Sequence, residues 1–244
     1  MTMDKLLSRR RIWQKKPVLR QVYNQGIFER IMSNIAGGDL SLEVGGGGGE
    51  FKSHSPDLIS SDLIPCPWHD LALNAENLPF KDGALDNVVG VDCLHHVSDP
   101  LRFLNEGARV LRRGGRMVLV EPWISPLGHV VNRFFMPEDL DLSWEPGQPI
   151  NGNKCEKNPF DANPAVPFVL FEQRRPDLSK YVPLFQLVKL ERFGFLAYIL
   201  SLGFRSGSLL PTWAYKSVDM IETSTIRYWR DLCALKALVV LEKQ

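Results

Sequence analysis

Residues 42–50 read Leu42-Glu43-Val44-Gly45-Gly46-Gly47-Gly48-Gly49-Glu50, a short apolar strand running straight into a block of glycines. Glycine lacks a side chain, so a strand ending this way lets its backbone approach a ligand closely. Ligands of open α/β sheets bind beyond the carboxyl ends of such strands. Three glycine-loop chemistries compete for the stretch. A phosphate-binding loop needs G-x-x-x-x-G-K-[ST]; Lys52 and Ser53 are present, but Phe51 stands where the last glycine must be. A dinucleotide loop needs G-x-G-x-x-G/A, and its third slot is filled by Glu50 or Phe51, depending on where counting starts. The pattern E-x-G-x-G-x-G is satisfied throughout, by Glu43, Gly45, Gly47 and Gly49, with Gly46 inside it.

Outward from this loop the chain alternates strands and helices. Residues 1–38 read as helical, with Val18, Val22, Ile27, Ile31 and Ile35 at helical spacing and Gly37 and Gly38 as the stop. Strands are predicted over 40–44, 58–61 (ending at Asp62), 71–73, 85–91, 117–120, 185–192 and 234–241. One well-marked helix begins at Asp99 as N-cap and Pro100 in the first turn. Its stripe is Leu101, Leu104, Ala108 and Leu111; Arg112 and Arg113 suit its negative end, and Gly114 closes it. A helix is also expected over 217–232. Strand, helix, strand at this rhythm implies a parallel sheet covered on both faces. The expected fold is therefore α/β: Rossmann-like and doubly wound, a mostly parallel seven-stranded sheet with helices on both faces. Residues 122 to about 183 are proline-rich and aperiodic, and read as a lid-like insertion after the fifth strand. A single domain, 1–244, divides into a helical cap (1–38), a cofactor-binding half (39–122), the insertion (123–183) and C-terminal strands with a helix (184–244).

The glycine pattern resembles motif I of class I S-adenosylmethionine (SAM)-dependent methyltransferases. The likeness continues through Asn74-Ala75-Glu76-Asn77-Leu78-Pro79-Phe80, Leu85-Asp86-Asn87-Val88-Val89, Leu94-His95-His96-Val97 and Arg109-Val110-Leu111-Arg112-Arg113-Gly114-Gly115. These are similar to the D-A-E-x-L-P-F, F-D-x-V, L-H-H and R-V-L-K-P-G-G segments of the group that includes ubiquinone and menaquinone methyltransferases. The resemblance spans about residues 40–122 and implies SAM as cofactor and S-adenosylhomocysteine as product. It implies that Asp62, followed by Leu63, grips the ribose hydroxyls, since a carboxylate accepts two hydrogen bonds at once. Asn74 replaces the group's usual aspartate at the adenine amino group, and the Ala75 N–H faces the ring. Asp86 braces the first loop. Asp92 lies near the methionine part of the cofactor, or on the surface.

The acceptor is less legible. Candidates for a general base are Glu121, at the end of the fifth strand and expected to face the pocket mouth, His129 in the insertion, and His96, otherwise packed at a helix start. The apolar run 193–200 with Leu209-Leu210-Pro211 reads as core, as an apolar acceptor pocket, or as a surface touching a membrane that carries a lipid-linked substrate. A fainter resemblance, to methyltransferases found with bacterial surface-polysaccharide genes, implies a saccharide or lipid-linked glycan hydroxyl. The expectation is methyl transfer to a small-molecule or glycan/lipid-linked acceptor, O-methylation favoured; the alternative is a non-catalytic SAM-binding partner or regulatory subunit.

A net charge of +1 gives no general pull toward nucleic acid. The exception is the N-terminal cluster Lys5, Arg9, Arg10, Arg11, Lys15, Lys16 and Arg20, read either as a solvated helix face or as a contact for an anionic substrate or surface. Cys66, Cys93, Cys155 and Cys233 have neither disulfide nor zinc spacing, and no metal is expected. No secretory or membrane-spanning run is read, which makes the cytoplasm the expected location.

Overall fold

Met117 and Leu119 pack on one side of the central sheet, Val118 and Val120 on the other, because successive strand residues point to opposite faces. Val88 and Val89 divide the same way, as do Val239 and Leu241 against Leu238 and Val240. Two-sided burial of this kind needs helices on both faces. The computed structural model describes residues 3–135, 139–150, 162–194 and 196–244. Its sheet comprises β1 (Ser41–Val44), β2 (Ile59–Asp62), β3 (Leu71–Ala72), β4 (Leu85–Val91), β5 (Leu111–Pro122), β6 (Phe185–Phe193) and β7 (Lys236–Lys243). The order is β3-β2-β1-β4-β5-β7-β6. Strands β1 to β5 pair in parallel, whereas β7 runs antiparallel between β5 and β6. The expected mostly parallel, seven-stranded Rossmann-like sheet is present. Strand order reverses at β1, which has β2 on one side and β4 on the other, and this opens a crevice at their carboxyl ends.

The N-terminal helix is interrupted. One segment spans Met3–Lys15; a second starts at Pro17 and continues through a π turn at Asn24–Phe28 to Met32. Lys16 sits between them at φ −117° and ψ 87°, off the helical region that a following proline disfavours. Its ammonium donates to the carbonyls of Gly203 (2.7 Å) and Arg205 (3.1 Å), which pins the break. The helical cap is fastened to the glycine-loop side by aromatic packing: the Phe28 ring stacks on Phe51, centroids 4.6 Å apart. Each such buried ring contributes roughly 1.5–3 kcal/mol.

The helix capped by Asp99, whose side chain accepts from the Arg102 N–H at 2.9 Å, ends at Val110 rather than at Gly114. Leu111 is already extended and pairs with Leu85, so β5 begins there and not at Met117. Arg112 does not serve the helix terminus. Its Nε donates to Asp86 at 2.5 Å, and it also reaches the Gly37 carbonyl. Asp86 in turn accepts from the Leu40 N–H, which braces the entry to β1.

Within 123–183, a helix spans Pro126–Phe135, and Val166–Gln173 forms a buried α/π turn. Val166, Leu170 and Phe171 are fully buried in the cluster that holds Leu104 and Met117, with Trp144 and Ile150 beside them. Residues 165–171 of the insertion, with Trp144 and Ile150, are thus core, whereas residues 139–143 and 147–149 are mostly exposed. Phe193, Ala197 and Leu210 belong to the opposite cluster, which fits the core reading of that apolar run. Phe195 and Cys155 lie outside the described residues. The edge strand β3 is only Leu71–Ala72; the other edge, β6, shifts register between Leu187 and Lys189 and carries ion pairs of Lys189 and Arg30 with Glu191. No described helix is long and apolar enough to cross a membrane.

Candidate functional site

A cavity of about 470 Å³ opens at the carboxyl ends of β1, β2 and β4. That size suits a cofactor or drug-sized ligand. Its floor is Val44, Gly45 and Gly47. One wall is Asp62, Leu63 and Ile64, the facing wall Leu73 to Glu76 with Val97, and Val91, Asp92, Cys93 and His96 follow from the end of β4. Glu43, Gly45, Gly47, Asp62, Leu63, Asn74, Ala75 and Asp92, all expected at the cofactor, line it together.

Gly46 and Gly49 do not line the cavity and are small for another reason. A Cβ on Gly46 would stand 2.6 Å from the His69 ring, and one on Gly49 would lie 2.7 Å from Trp68, at a φ of +78°. The loop is clamped from behind. The Trp68 indole N–H donates to the Gly47 carbonyl at 2.9 Å, His69 Nε2 sits at 2.9 Å from the same oxygen, and Arg10 donates to the Gly48 carbonyl at 2.5 Å. From the front, Asp62 Oδ2 accepts from the Gly47 N–H at 2.9 Å and Oδ1 from Ile64 at 3.0 Å. These bonds fix the carboxylate at the end of β2 and leave it acceptor capacity toward the cavity. The Asn74 side-chain oxygen caps the Glu76 N–H at 2.9 Å, which holds the Asn74-Ala75-Glu76 wall in a tight turn.

Glu43 is buried beneath the loop. Its Oε2 lies 2.5 Å from Ser60 Oγ, which lies 2.8 Å from His69 Nδ1. The Gly47 carbonyl can only accept, so His69 Nε2 carries a proton there. The Ser60 hydroxyl donates to Glu43 Oε2. Burial raises the Glu43 carboxyl from 4.5 to about 7, against the Ser60 hydrogen bond, which lowers it. With the folded-state value raised, the native state binds more protons than the unfolded chain between about pH 4.5 and 7. Glu43 thus stabilises the fold fully below that window, and the contribution is lost as pH rises through it. Thermal melts from pH 5 to 8 are expected to fall more steeply for the native protein than for Glu43→Gln, which mimics the neutral acid; parallel curves would refute the raised value.

Glu121 corrects an expectation. It is fully buried behind the cavity wall, not at its mouth. Oε1 accepts from the Cys93 (2.9 Å) and Leu94 (2.8 Å) N–H groups, and Oε2 lies 2.6 Å from His95 Nδ1. Its oxygens hold the turn after β4 and orient His95. His129 is exposed on helix Pro126–Phe135 and does not line the cavity, whereas His96 does. Asp92 has the left-handed φ of 53°, rare for a non-glycine residue, and its Oδ1 is paired with the Lys236 ammonium. Burial pushes the Asp92 carboxyl up, but Lys236, His95 and Arg9 together hold it below its ordinary value. Among the described residues, Asp92, His95 and Glu121 form one group with metal-ligand types, their polar atoms within 4.8 Å of one another. In that group Asp92 is paired with Lys236, and Glu121 is engaged by the Cys93 and Leu94 amides and by His95.

The sequence reading did not place Arg9, Tyr23, Phe28, Glu50 and Phe51 in the cavity wall, yet they line its far end. The basic N-terminal cluster is therefore not merely a solvated face: Arg9, Arg10 and Lys16 all turn inward.

Residues 66–119 match the family described as "Methyltransferase domain". An uncharacterized methyltransferase of Mycobacterium sp. (strain JLS) is 32% identical over 117 residues, 42% of this chain and 46% of the relative. The demethylmenaquinone methyltransferase of Tropheryma whipplei (strain Twist) is 36% identical over 66 residues, 25% of this chain and 28% of the relative. The chain thus spans less than half the length of these curated relatives. Among solved structures, a SAM-dependent methyltransferase from Archaeoglobus fulgidus superposes with a TM-score of 0.55 at 16% identity, covering 92% of this chain and 94% of the other. Fold and site together resemble those of class I SAM-dependent methyltransferases. Over about a quarter of its length the chain is similar to the group that includes the ubiquinone/menaquinone-type enzymes, and these likenesses support SAM as its cofactor. The residues fit that cofactor: the Asp62 carboxylate is fixed at the cavity with acceptor capacity that a ribose would use, apolar side chains are present to flank an adenine, and a Cβ at Gly47 would meet only Glu50, at 3.6 Å, and so occupy the cavity itself.

Proposed function

We propose that the protein is an active methyltransferase that methylates a hydroxyl of a small-molecule or glycan/lipid-linked acceptor. The observation that carries the reading is the cavity at the switch point, where the glycine loop, Asp62 and the Asn74–Glu76 wall face one space together with His96. When bound, SAM supplies an activated methyl group. Asp62 and the loop fix the cofactor's ribose; alignment of this kind contributes up to about 7–11 kcal/mol in well-oriented systems. An alcohol acceptor also gains from a base, typically about 10²–10⁴-fold. His96 is the assigned base, because Glu121 is sealed behind the wall and His129 lies away from the cavity. The Asp92 carboxylate, paired with Lys236, is a weaker base and polarises the site instead. The named relatives include a C-methyltransferase and an N-methyltransferase, each matched over about a quarter of this chain or less, so the choice of oxygen rests on His96.

The test is S-adenosylhomocysteine release, followed by mass spectrometry, against panels of phenols and saccharides, amines, and carbon acids. Turnover with a hydroxyl acceptor that falls at least about a hundredfold in His96→Asn supports the reading. Turnover confined to amines or carbon acids, or an unaffected His96→Asn, refutes it.

A further inference from the structure

The far end of the cavity holds two ionised side chains whose inner atoms have no hydrogen-bond partner. Arg9 Nε and Glu50 Oε1 are both buried and unsatisfied, and both residues line the cavity. Buried polar atoms left unpaired are uncommon and costly, and at a binding site a ligand group is the usual explanation. The other opposite pair at this end, Asp92 with Lys236, is already closed. What remains open is one cation and one anion facing the same space.

We propose that Arg9 and Glu50 form the receptor for the zwitterionic amino-acid end of the cofactor, the guanidinium taking the α-carboxylate and the Glu50 carboxylate taking the α-ammonium. The inference rests on the cofactor reading above and extends it to residues outside the family match at 66–119. The chemistry is complementary on both sides. A guanidinium presents a planar fork that matches a carboxylate. Arg9 lies over the Phe204 ring, its central carbon 4.0 Å from the centroid, so one face is covered and the edge is left for a ligand. Burial works against the Arg9 charge, but Glu50, Tyr23 and Asp92 hold it firmly protonated. Glu50 follows the left-handed Gly49, and its Oε1 folds back under the loop to where a Cβ on Gly48 would sit at 2.6 Å. This gives Gly48 a role that the motif does not: a side chain there would displace the Glu50 carboxylate from this position.

The same helix delivers both arginines. Leu6 and Trp13 anchor Met3–Lys15 in the core, Arg10 latches to the Gly48 carbonyl, and Arg9, one residue earlier, enters the cavity. The cap therefore completes the site with a charged group as well as covering it.

The experiment compares S-adenosylhomocysteine with 5′-methylthioadenosine, which keeps the adenosine and the thioether but lacks the amino acid. Calorimetric titration of the full chain is run for the native protein, Arg9→Met, Arg9→Lys and Glu50→Gln, with thermal melts to establish folding. S-adenosylhomocysteine affinity is expected to fall about 10- to 100-fold in Arg9→Met and Glu50→Gln, with methylthioadenosine changed less than about threefold. Arg9→Lys, which keeps the charge but not the fork, is expected to fall between. Equal losses for both ligands would overturn the proposal in favour of general support of the pocket. Unchanged affinity for both would overturn it by placing the pair on the acceptor side. A well-folded native protein that binds neither ligand would sink the cofactor reading itself, a result distinct from the other two.

Discussion

Asp62→Ala is expected to lose S-adenosylhomocysteine affinity by at least about a hundredfold. Two losses combine. The carboxylate at the end of β2 is the group proposed to accept from the cofactor's ribose hydroxyls, and hydrogen bonds to a charged group are worth about 1.5–3 kcal/mol each. The same carboxylate holds the Gly47 N–H at 2.9 Å and the Ile64 N–H at 3.0 Å, so its removal also unlatches the glycine loop from the front. Two such bonds correspond to roughly 10²–10⁴ in affinity. Isothermal titration reads the effect directly, with NAD as the control ligand. A variant within threefold of the native protein would remove Asp62 from the cofactor site.

Glu121→Ala is expected to cost stability first and activity only as a consequence. The substitution leaves the Cys93 and Leu94 N–H groups and the His95 ring without their acceptor, all in a buried turn. Leaving buried donors without a partner costs about 1–3 kcal/mol each, or roughly 3–5 kcal/mol for the set. For a chain of this size that is a fall in melting temperature of roughly 6–20 °C, at about 2–4 °C per kcal/mol. His129→Ala, on an exposed helix position, should shift the melt by less than about 1–2 °C. Calorimetric melts of the cofactor-free protein check both. A Glu121→Ala shift as small as that of His129→Ala would mean that water replaces the carboxylate and that the buried network is dispensable.

The cofactor half was largely legible because its signals are local. The glycine pattern, Asp62 at the end of a strand and the Asn74–Glu76 turn each sit in short stretches whose backbone demands are written in the residue types. Element boundaries were legible where a single residue enforces them, as Asp99 and Pro100 do. They failed where a distant partner decides: Arg112 resembled a helix terminus in sequence, but Asp86 and Gly37 draw it into β5. Glu121 failed for the same reason. A carboxylate at a strand end reads as a base facing the pocket, and only the fold reveals the two amides and the histidine that consume it. Arg9 could not be distinguished from Lys5 or Arg11 by composition. What sets it apart is the break at Lys16 and the packing of Trp13, which turn that face of the helix toward the cavity.

The margins of the sheet bear on how the protein behaves at high concentration. An open sheet presents a row of unpaired backbone groups at each edge, a template on which a strand from another molecule can add. Here one margin is only Leu71–Ala72, too short to template a stable addition. The other, β6, is kinked by its register shift and carries charged side chains along its length, including Lys189 and Glu191. Irregularity and charge are common defences against edge-to-edge polymerisation. The apolar runs Val88–Val91 of β4 and Met117–Val120 of β5 are enclosed between neighbours on both sides. The arrangement keeps these apolar runs inside the sheet and leaves poor nucleation sites at its borders.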